Sequence, residues 1–432
     1  MTTIFALVGI ALTLNLVTLF TSSQLAPKSL DPLANYFEQE DIIVNIDAIK
    51  EIEDLTPKKK CDKFKCFNVL HCEINQAKQL SYFVYPPISF YDSDKNLLYS
   101  TRSMISREYW QILHTILSSS RATSDPNRAC LFVPSVDLTW LDRTNSSLIR
   151  KLYENLPYWR FVDGKPGTNH LTISLDPFQN MNSLSSAISR SLLVGVNYDT
   201  WTLRPEFDLN IPFVDSLDDG TSKNDRETQW KLIMTQLSSL DETQRKSLKR
   251  LEESMRGELL VLGHECSVQR AVSDVVEYLR CANDRDDILA RVDKTACRCS
   301  EDKVLDFSFP SVLSSAQYCL ILHLKGTHPF GDSNTYLISQ AIKHGCVPII
   351  TRDFVLPLKS SLKWNKISFS LTNEHDLESL ATLISSIKPT TYEQMRSEAR
   401  ETWLNHFKFA SQVANDIMLH YDGLMYPEIL KQ

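Results

Sequence analysis

The 432-residue chain has little glycine and proline, 11 and 18 residues, and carries no low-complexity tract or fixed-period repeat. Solenoids and propellers are excluded on that ground. Positive charge is not in excess either: 46 Lys and Arg stand against 53 Asp and Glu, a net charge of −7. A general polyanion-binding surface needs clustered excess cations, so nucleic acid is not an expected partner, although a local basic groove is compatible with the total. The cysteines lack the paired CxxC spacing of a zinc site. What is present is the composition of a folded protein, 43% hydrophobic and 23% charged. The length suits two or three domains.

The opening residues point to a compartment. Ile4 to Phe20 form a charge-free apolar run, IFALVGIALTLNLVTLF. It is near the lower length limit for a spanning helix. It also has the form of a signal-peptide core, with the small residues Thr21-Ser22-Ser23 after it. No Lys or Arg precedes it, so charge does not orient it. Either form takes the chain into the secretory pathway, and a retained anchor with a luminal body is the favoured reading. An endoplasmic reticulum or Golgi membrane, crossed once in the type II sense, is the expected location. Ten cysteines agree with an oxidising lumen. Disulfide candidates are Cys61, Cys66, Cys72, Cys266, Cys281, Cys297 and Cys299, with Cys266 facing Cys297 or Cys299 as partner. Cys319 and Cys346 fall at adjacent strand positions, bonded or simply buried. Asn145-Ser146-Ser147 is the one N-glycosylation sequon, expected on a surface loop.

Residues 24–60 are polar and irregular, the character of a stem. Beyond residue 80, apolar strands alternate with amphipathic helices: LSYFVYP (80–86), a helix over 106–120, then strands at 129–137 and 170–175. A second series begins near residue 228, with QWKLIMTQL, a charged helix over 241–258 and ELLVLG. It continues with YCLILHL (318–324), a helix around 335–345 and CVPIIT (346–351). Residues 391–421 read as one or two long helices packing back over the body. Alternation of this kind predicts parallel sheets covered by helices. The domain reading is 1–23 signal-anchor or signal peptide, 24–60 stem, and two Rossmann-like lobes over 61–220 and 221–425. Ligands of such sheets bind at the carboxyl ends of the strands.

Several segments carry a family pattern in order. The Cys61/Cys66/Cys72 spacing followed by YFVYP, then SREYWQIL, SDPNRACLFVPSVD (124–137), NHLTISL (169–175) and LRPEFDLNIPF (203–213) lie in the first half. DFSFPSVLSSAQYCLIL (306–322), HGCVPII (344–350), VLPLKSSLKW (355–364) and ARETWLNHF (399–407) follow in the second. The chain resembles the exostosins, the animal heparan-sulfate glycosyltransferases, in a short form with only the N-terminal, GT47-like glucuronyltransferase-type domain. The resemblance implies a GT-B fold, two Rossmann-like doubly wound lobes facing a cleft. It implies transfer of glucuronic acid from UDP-glucuronic acid to a GlcNAc-terminated heparan sulfate chain, with no cofactor required. A second exostosin-family glycosyltransferase is the expected partner in a hetero-complex.

Site residues follow from the same resemblance. Asp208 is the candidate base or acceptor ligand, or alternatively a loop cap. Asn169, His170 and Arg204 are acceptor-side candidates. For the nucleotide sugar the family pattern runs Pro-Arg-Gly, Ser-x-Arg and then Glu. Here those positions hold Lys325 and Gly326, then Leu337, then Gln340. A lysine replaces a forked guanidinium, an arginine becomes leucine, and a carboxylate becomes a neutral amide able only to hydrogen-bond a ribose hydroxyl. These departures point to weak or absent activity in isolation. Asp92-Ser93-Asp94 and Asp284-Arg285-Asp286 have the form of metal-binding DxD patterns, but both sit in polar stretches that favour solvated turns. No metal site is expected. Trp201, Trp364 and Trp403 suit either sugar stacking or a core.

Overall fold

The computed structural model describes residues 36–46, 66–72, 79–141, 146–176, 184, 188, 190–196, 198, 203–214, 230–234, 242–255, 258–261, 269–270, 277–278, 313–322, 334–351, 354–371, 377 and 379–426. Residues 1–35 lie outside this set. Among the described residues no helix is long and apolar enough to cross a membrane.

The first lobe is built on β2 (Tyr82–Val84), β5 (Leu131–Val133), β6 (Leu171–Ser174), β7 (Leu192–Gly195) and β8 (Leu209–Asn210), all pairing in parallel. A bridge between Phe132 and His170 joins β5 to the start of β6, so the spatial order is β2-β5-β6-β7-β8. Every residue of β2, β5, β6 and β7 is buried, the continuous apolar character of a doubly covered parallel sheet. Helix α1 (Arg107–Leu117) forms because Tyr109, Ile112, Leu113 and Ile116 share one face. The Ser106 side chain accepts from the Tyr109 amide and caps its start. Helix α2 is Ser146–Glu154.

A smaller sheet flanks this lobe. Strand β1 (Ile42–Asn45) runs parallel to β3 (Ile88–Tyr91), which pairs antiparallel with β4 (Leu97–Ser100). Strand β1 falls inside the stretch read as a stem, so part of that stretch is structural. Arg102 holds it, ion-paired to Asp41 and donating to the Phe37 and Gln39 carbonyls. Tyr36 is buried beside Trp110 and donates to the Tyr85 carbonyl. Asp92-Ser93-Asp94 forms the turn between β3 and β4. The Asp92 side chain accepts from the amides of Asp94 and Asn96 and from the Asn96 side chain, which holds its carboxyl below the usual range.

The second lobe contains β9 (Trp230–Met234), α3 (Glu242–Met255), β10 (Leu259–Val261), a small antiparallel pair β11 (Gln269–Arg270) and β12 (Glu277–Tyr278), β13 (Ala316–Ile321), α4 (Asn334–Lys343), β14 (Val347–Thr351) and β15 (Phe369–Leu371). Its main sheet has the order β10-β9-β13-β14-β15, parallel throughout. Two all-parallel sheets with intervening helices is the two-lobed α/β architecture expected from the sequence.

After β15 come α5 (Leu380–Ser386), α6 (Pro389–Thr402), a π-helical turn (Trp403–Phe407) and α7 (Ala410–Met425). Helix α7 leaves the second lobe and packs along α1 of the first. There the Asp422 carboxylate accepts from the Leu80 amide at 2.8 Å and pairs with Arg121 at 2.5 Å, while the Tyr421 hydroxyl donates to the Phe207 carbonyl. Trp364 and Trp403 belong to the buried core, so neither stacks on a sugar, and Trp201 lies outside the described residues.

One glycine is forced. Gly167 has φ +75°, and a Cβ there would lie 2.8 Å from the Trp159 ring. Gly167→Ala is expected to cost about 2–4 kcal/mol, the sum of a left-handed backbone and an overpacked core, measured by urea unfolding.

Candidate functional site

In both lobes the carboxyl ends of the strands are where a ligand of such sheets is held. The two sets of strand ends are tied together by Asn210, the last residue of β8. Its side-chain amide donates to the Val355 carbonyl at 2.5 Å and to the Thr335 hydroxyl at 3.2 Å. Its backbone carbonyl accepts from the Leu358 amide at 2.8 Å. Three residues on, the Phe213 amide donates to the Ser339 hydroxyl at 3.1 Å. Thr335 lies in the first turn of α4, so the end of the first sheet abuts the amino end of a second-lobe helix. The amino end of a helix carries a partial positive charge, the usual complement of an anionic group. Asn210 was not among the expected site residues, although it stands two positions after Asp208 in a segment that carries the family pattern.

The donor-side residues divide. Lys325 and Gly326 lie outside the described residues, as do Asn145, Cys61, Cys266, Cys281, Cys297, Cys299 and the Asp284–Asp286 pattern. Leu337 and Gln340 lie on α4, at 7% and 4% exposure. Leu337 lines a small apolar cavity with Ile233, Leu313, Cys319, Ile321 and Ala341. The leucine that stands where the family pattern has an arginine is therefore packed between helix and sheet.

The acceptor-side residues are inside the first lobe. Arg204 and Asp208 form a buried ion pair. Arg204 Nε donates to Asp208 Oδ2 at 2.7 Å and Nη2 donates to Oδ1 at 2.6 Å. The backbone amides of Arg204 and Leu193 complete the carboxylate at 3.0 Å each. Arg204 Nη2 also donates to the Ser191 carbonyl, and its guanidinium lies 4.5 Å above the Phe207 ring. Burial pushes the Asp208 carboxyl up, and the hydrogen bonds and charge of Arg204 pull against it. Of the two roles open to Asp208, this geometry supports the structural one: four donors already engage its oxygens, and it joins β7 to β8.

His170 is fully buried, and its tautomer is fixed by its neighbours. Nδ1 lies 2.9 Å from the Thr168 carbonyl, which can only accept, so Nδ1 carries the proton. Nε2 then accepts from the Tyr85 hydroxyl at 2.7 Å. Burial pushes the imidazole down to about 3 and keeps it neutral. Asn169 adopts φ +59°, a region its short polar side chain tolerates. Its Oδ1 accepts from the Asn68 amide at 2.7 Å, and its Nδ2 donates to the carbonyls of Asn68 and Cys130. All three acceptor-side candidates thus serve the scaffold of the first lobe.

Asn169 acts beside a disulfide that the candidate set half anticipated. Cys72 bonds to Cys130, which was not among the candidates, over a separation of 58 residues. Cys130 stands just before β5, far along the chain from the cysteine cluster, so sequence clustering carried no signal for it. Cys66 is also disulfide-bonded, and Cys319 bonds to Cys346. Among the described residues no group of three or more His, Cys, Asp and Glu is placed to hold a metal ion.

Comparisons with known proteins agree with the segments that carry the resemblance. Human Exostosin-2 is 28% identical over 382 residues, covering 85% of this chain and 48% of the human protein. The Caenorhabditis elegans Exostosin-1 homolog is 21% identical over 377 residues, covering 84% of this chain and 89% of that protein. The chain thus spans about half the length of the human relative. Among solved structures, Anabaena HepE in complex with UDP and glucose aligns over 76% of this chain and 84% of that one, at 10% identity and a TM-score of 0.34. The exostosin GT47 domain model matches residues 76–387, well over half the sequence, and the chain belongs to the exostosin GT47 family.

Proposed function

We propose that this chain is a glucuronyltransferase-type subunit of a heparan-sulfate-elongating complex, feeble alone and acting by supporting a catalytic exostosin partner. The carrying observation is the state of α4. Its Leu337 side chain is sunk in an apolar cluster, and its Gln340 is a buried neutral amide. The helix that follows the donor loop therefore brings neither an arginine nor a carboxylate to a nucleotide sugar, and a departing UDP needs both charge stabilisation and a fixed ribose. Lys325 is the one cation of the family pattern that remains. On this reading the body stays in the lumen of the endoplasmic reticulum or Golgi, anchored through residues 1–23, and no cofactor is needed.

The second reading is an independently active inverting transferase, favoured by the junction of β8 with the amino end of α4, which is suited to a diphosphate. One assay decides between them. The full chain is expressed alone and with an exostosin partner, and glucuronate transfer from UDP-glucuronic acid to a GlcNAc-terminated acceptor is followed. A rise in the partner's polymerisation with background activity from the chain alone is expected, and Lys325→Ala should leave that rise intact. Robust transfer by the chain alone, abolished by Lys325→Ala, establishes the second reading instead.

A further inference from the structure

The segment after β14 concentrates positive charge in a molecule that is acidic overall. Between Asp353 and Glu374 there is no acidic residue, while Lys359, Lys363 and Lys366 are all exposed. Lys366 reaches Glu398 at 3.7 Å. Among the described residues no carboxylate pairs with Lys359 or Lys363.

The backbone under these lysines is fixed. Leu358 is fully buried with φ +49°, a conformation that a bulky residue holds only when its surroundings impose it. Here the Leu358 amide is bound to the Asn210 carbonyl, and the Asn210 side chain grips Val355. The Trp364 indole donates to the Pro357 carbonyl at 3.0 Å, and Ser360 meets His420 of α7 at 3.0 Å. The lysines thus stand on a rigid platform that follows the carboxyl end of β14 and is bolted to the carboxyl end of β8. That is the ligand side of both sheets.

We propose that Lys359 and Lys363 form a cationic rim that binds a uronate-bearing polyanionic glycan beside the junction of the two lobes. Lysine suits this occupant: it is a compact charge on a flexible stem, able to follow carboxylates that recur along a mobile chain without demanding bidentate geometry. A platform already ordered before binding loses little further freedom, so two exposed charges can act together. The choice of glycan rests on the transferase-subunit reading, whereas binding is measured without any partner or donor.

The full chain is titrated with a non-sulfated glucuronate–N-acetylglucosamine oligosaccharide, with a neutral chitin oligosaccharide of the same length, and with a single-stranded oligonucleotide of matched charge. Lys359→Gln/Lys363→Gln is compared with a charge-matched control in the first lobe, Lys151→Gln/Lys165→Gln. The rim variant is expected to bind the uronate chain about five- to tenfold more weakly at low salt, with the difference closing as salt rises. Binding by the control and melting of both variants should be unchanged. Equal binding by wild type and rim variant, an equal loss in the control, or equally tight oligonucleotide binding overturns the proposal. Loss of partner support with the rim intact overturns the functional reading and leaves this one standing.

Discussion

Arg204→Ala is expected to destabilise the protein by about 3–5 kcal/mol, because it strands the Asp208 carboxylate, buried and without its counter-charge. Arg204 Nε and Nη2 contact both carboxylate oxygens, and the two side chains are 8% and 0% exposed. Folded domains have only about 5–15 kcal/mol in reserve, so the variant should show a large shift in urea midpoint and reduced yield. Arg204→Met/Asp208→Asn should recover part of the loss, since it removes both buried charges and retains an acceptor for the amides of Leu193 and Arg204. Asp208→Asn also separates structural from chemical roles. A folded Asp208→Asn protein that still supports its partner's transfer leaves Asp208 as a strut, whereas loss of that support with the fold intact assigns it to the chemistry.

Acidification should destabilise the chain below pH 6.5, through the buried His170 and the half-buried His420, both held neutral. His170 is pushed by burial from 6.5 to about 3, and His420 to about 4. Both folded values lie below the unfolded value, so the unfolded chain binds protons first and stability is lost as pH falls. Each contributes a slope of about 1.4 kcal/mol per pH unit. The slope from His170 runs from 6.5 down to about 3. His406 behaves oppositely. Its hydrogen bond to Asp416 raises it, so its contribution is fully present below the unfolded value and does not offset the decline. Unfolding free energies measured between pH 7 and 4 should fall steeply in the wild type, and His170→Gln should flatten the slope whatever it does to absolute stability. An unchanged slope in that variant would show that His170 does not titrate between the two states.

The regular elements of this fold were legible because each is driven by a local pattern. LSYFVYP, HLTISL and CVPIIT are short apolar runs closed by turn residues, and each contains a parallel strand. Tyr109, Ile112, Leu113 and Ile116 announce the face that α1 buries. The stem was only partly legible. Residues 36–41, which lead into β1, dock through Arg102 and Trp110, residues more than sixty positions away, and polar composition says nothing about such docking. The site residues were legible as a motif but not as roles. Family likeness picked out Asn169, His170, Arg204 and Asp208, but only geometry shows each hydrogen-bonded within the first lobe. Asn210 and Cys130 were hidden for the same reason, because the partners that give them meaning lie far along the chain.

The return of α7 has a consequence for how the protein is made. Synthesis delivers the first lobe early, yet the Leu80 amide and the Arg121 guanidinium wait for Asp422, which lies 342 residues beyond Leu80. Until then the face of α1 that receives α7 is uncovered, and the nascent chain carries an apolar seam while the rest is being translated. Helix α7 therefore seals the first lobe long after that lobe has emerged, and the interval before it arrives is when the nascent chain most needs a chaperone.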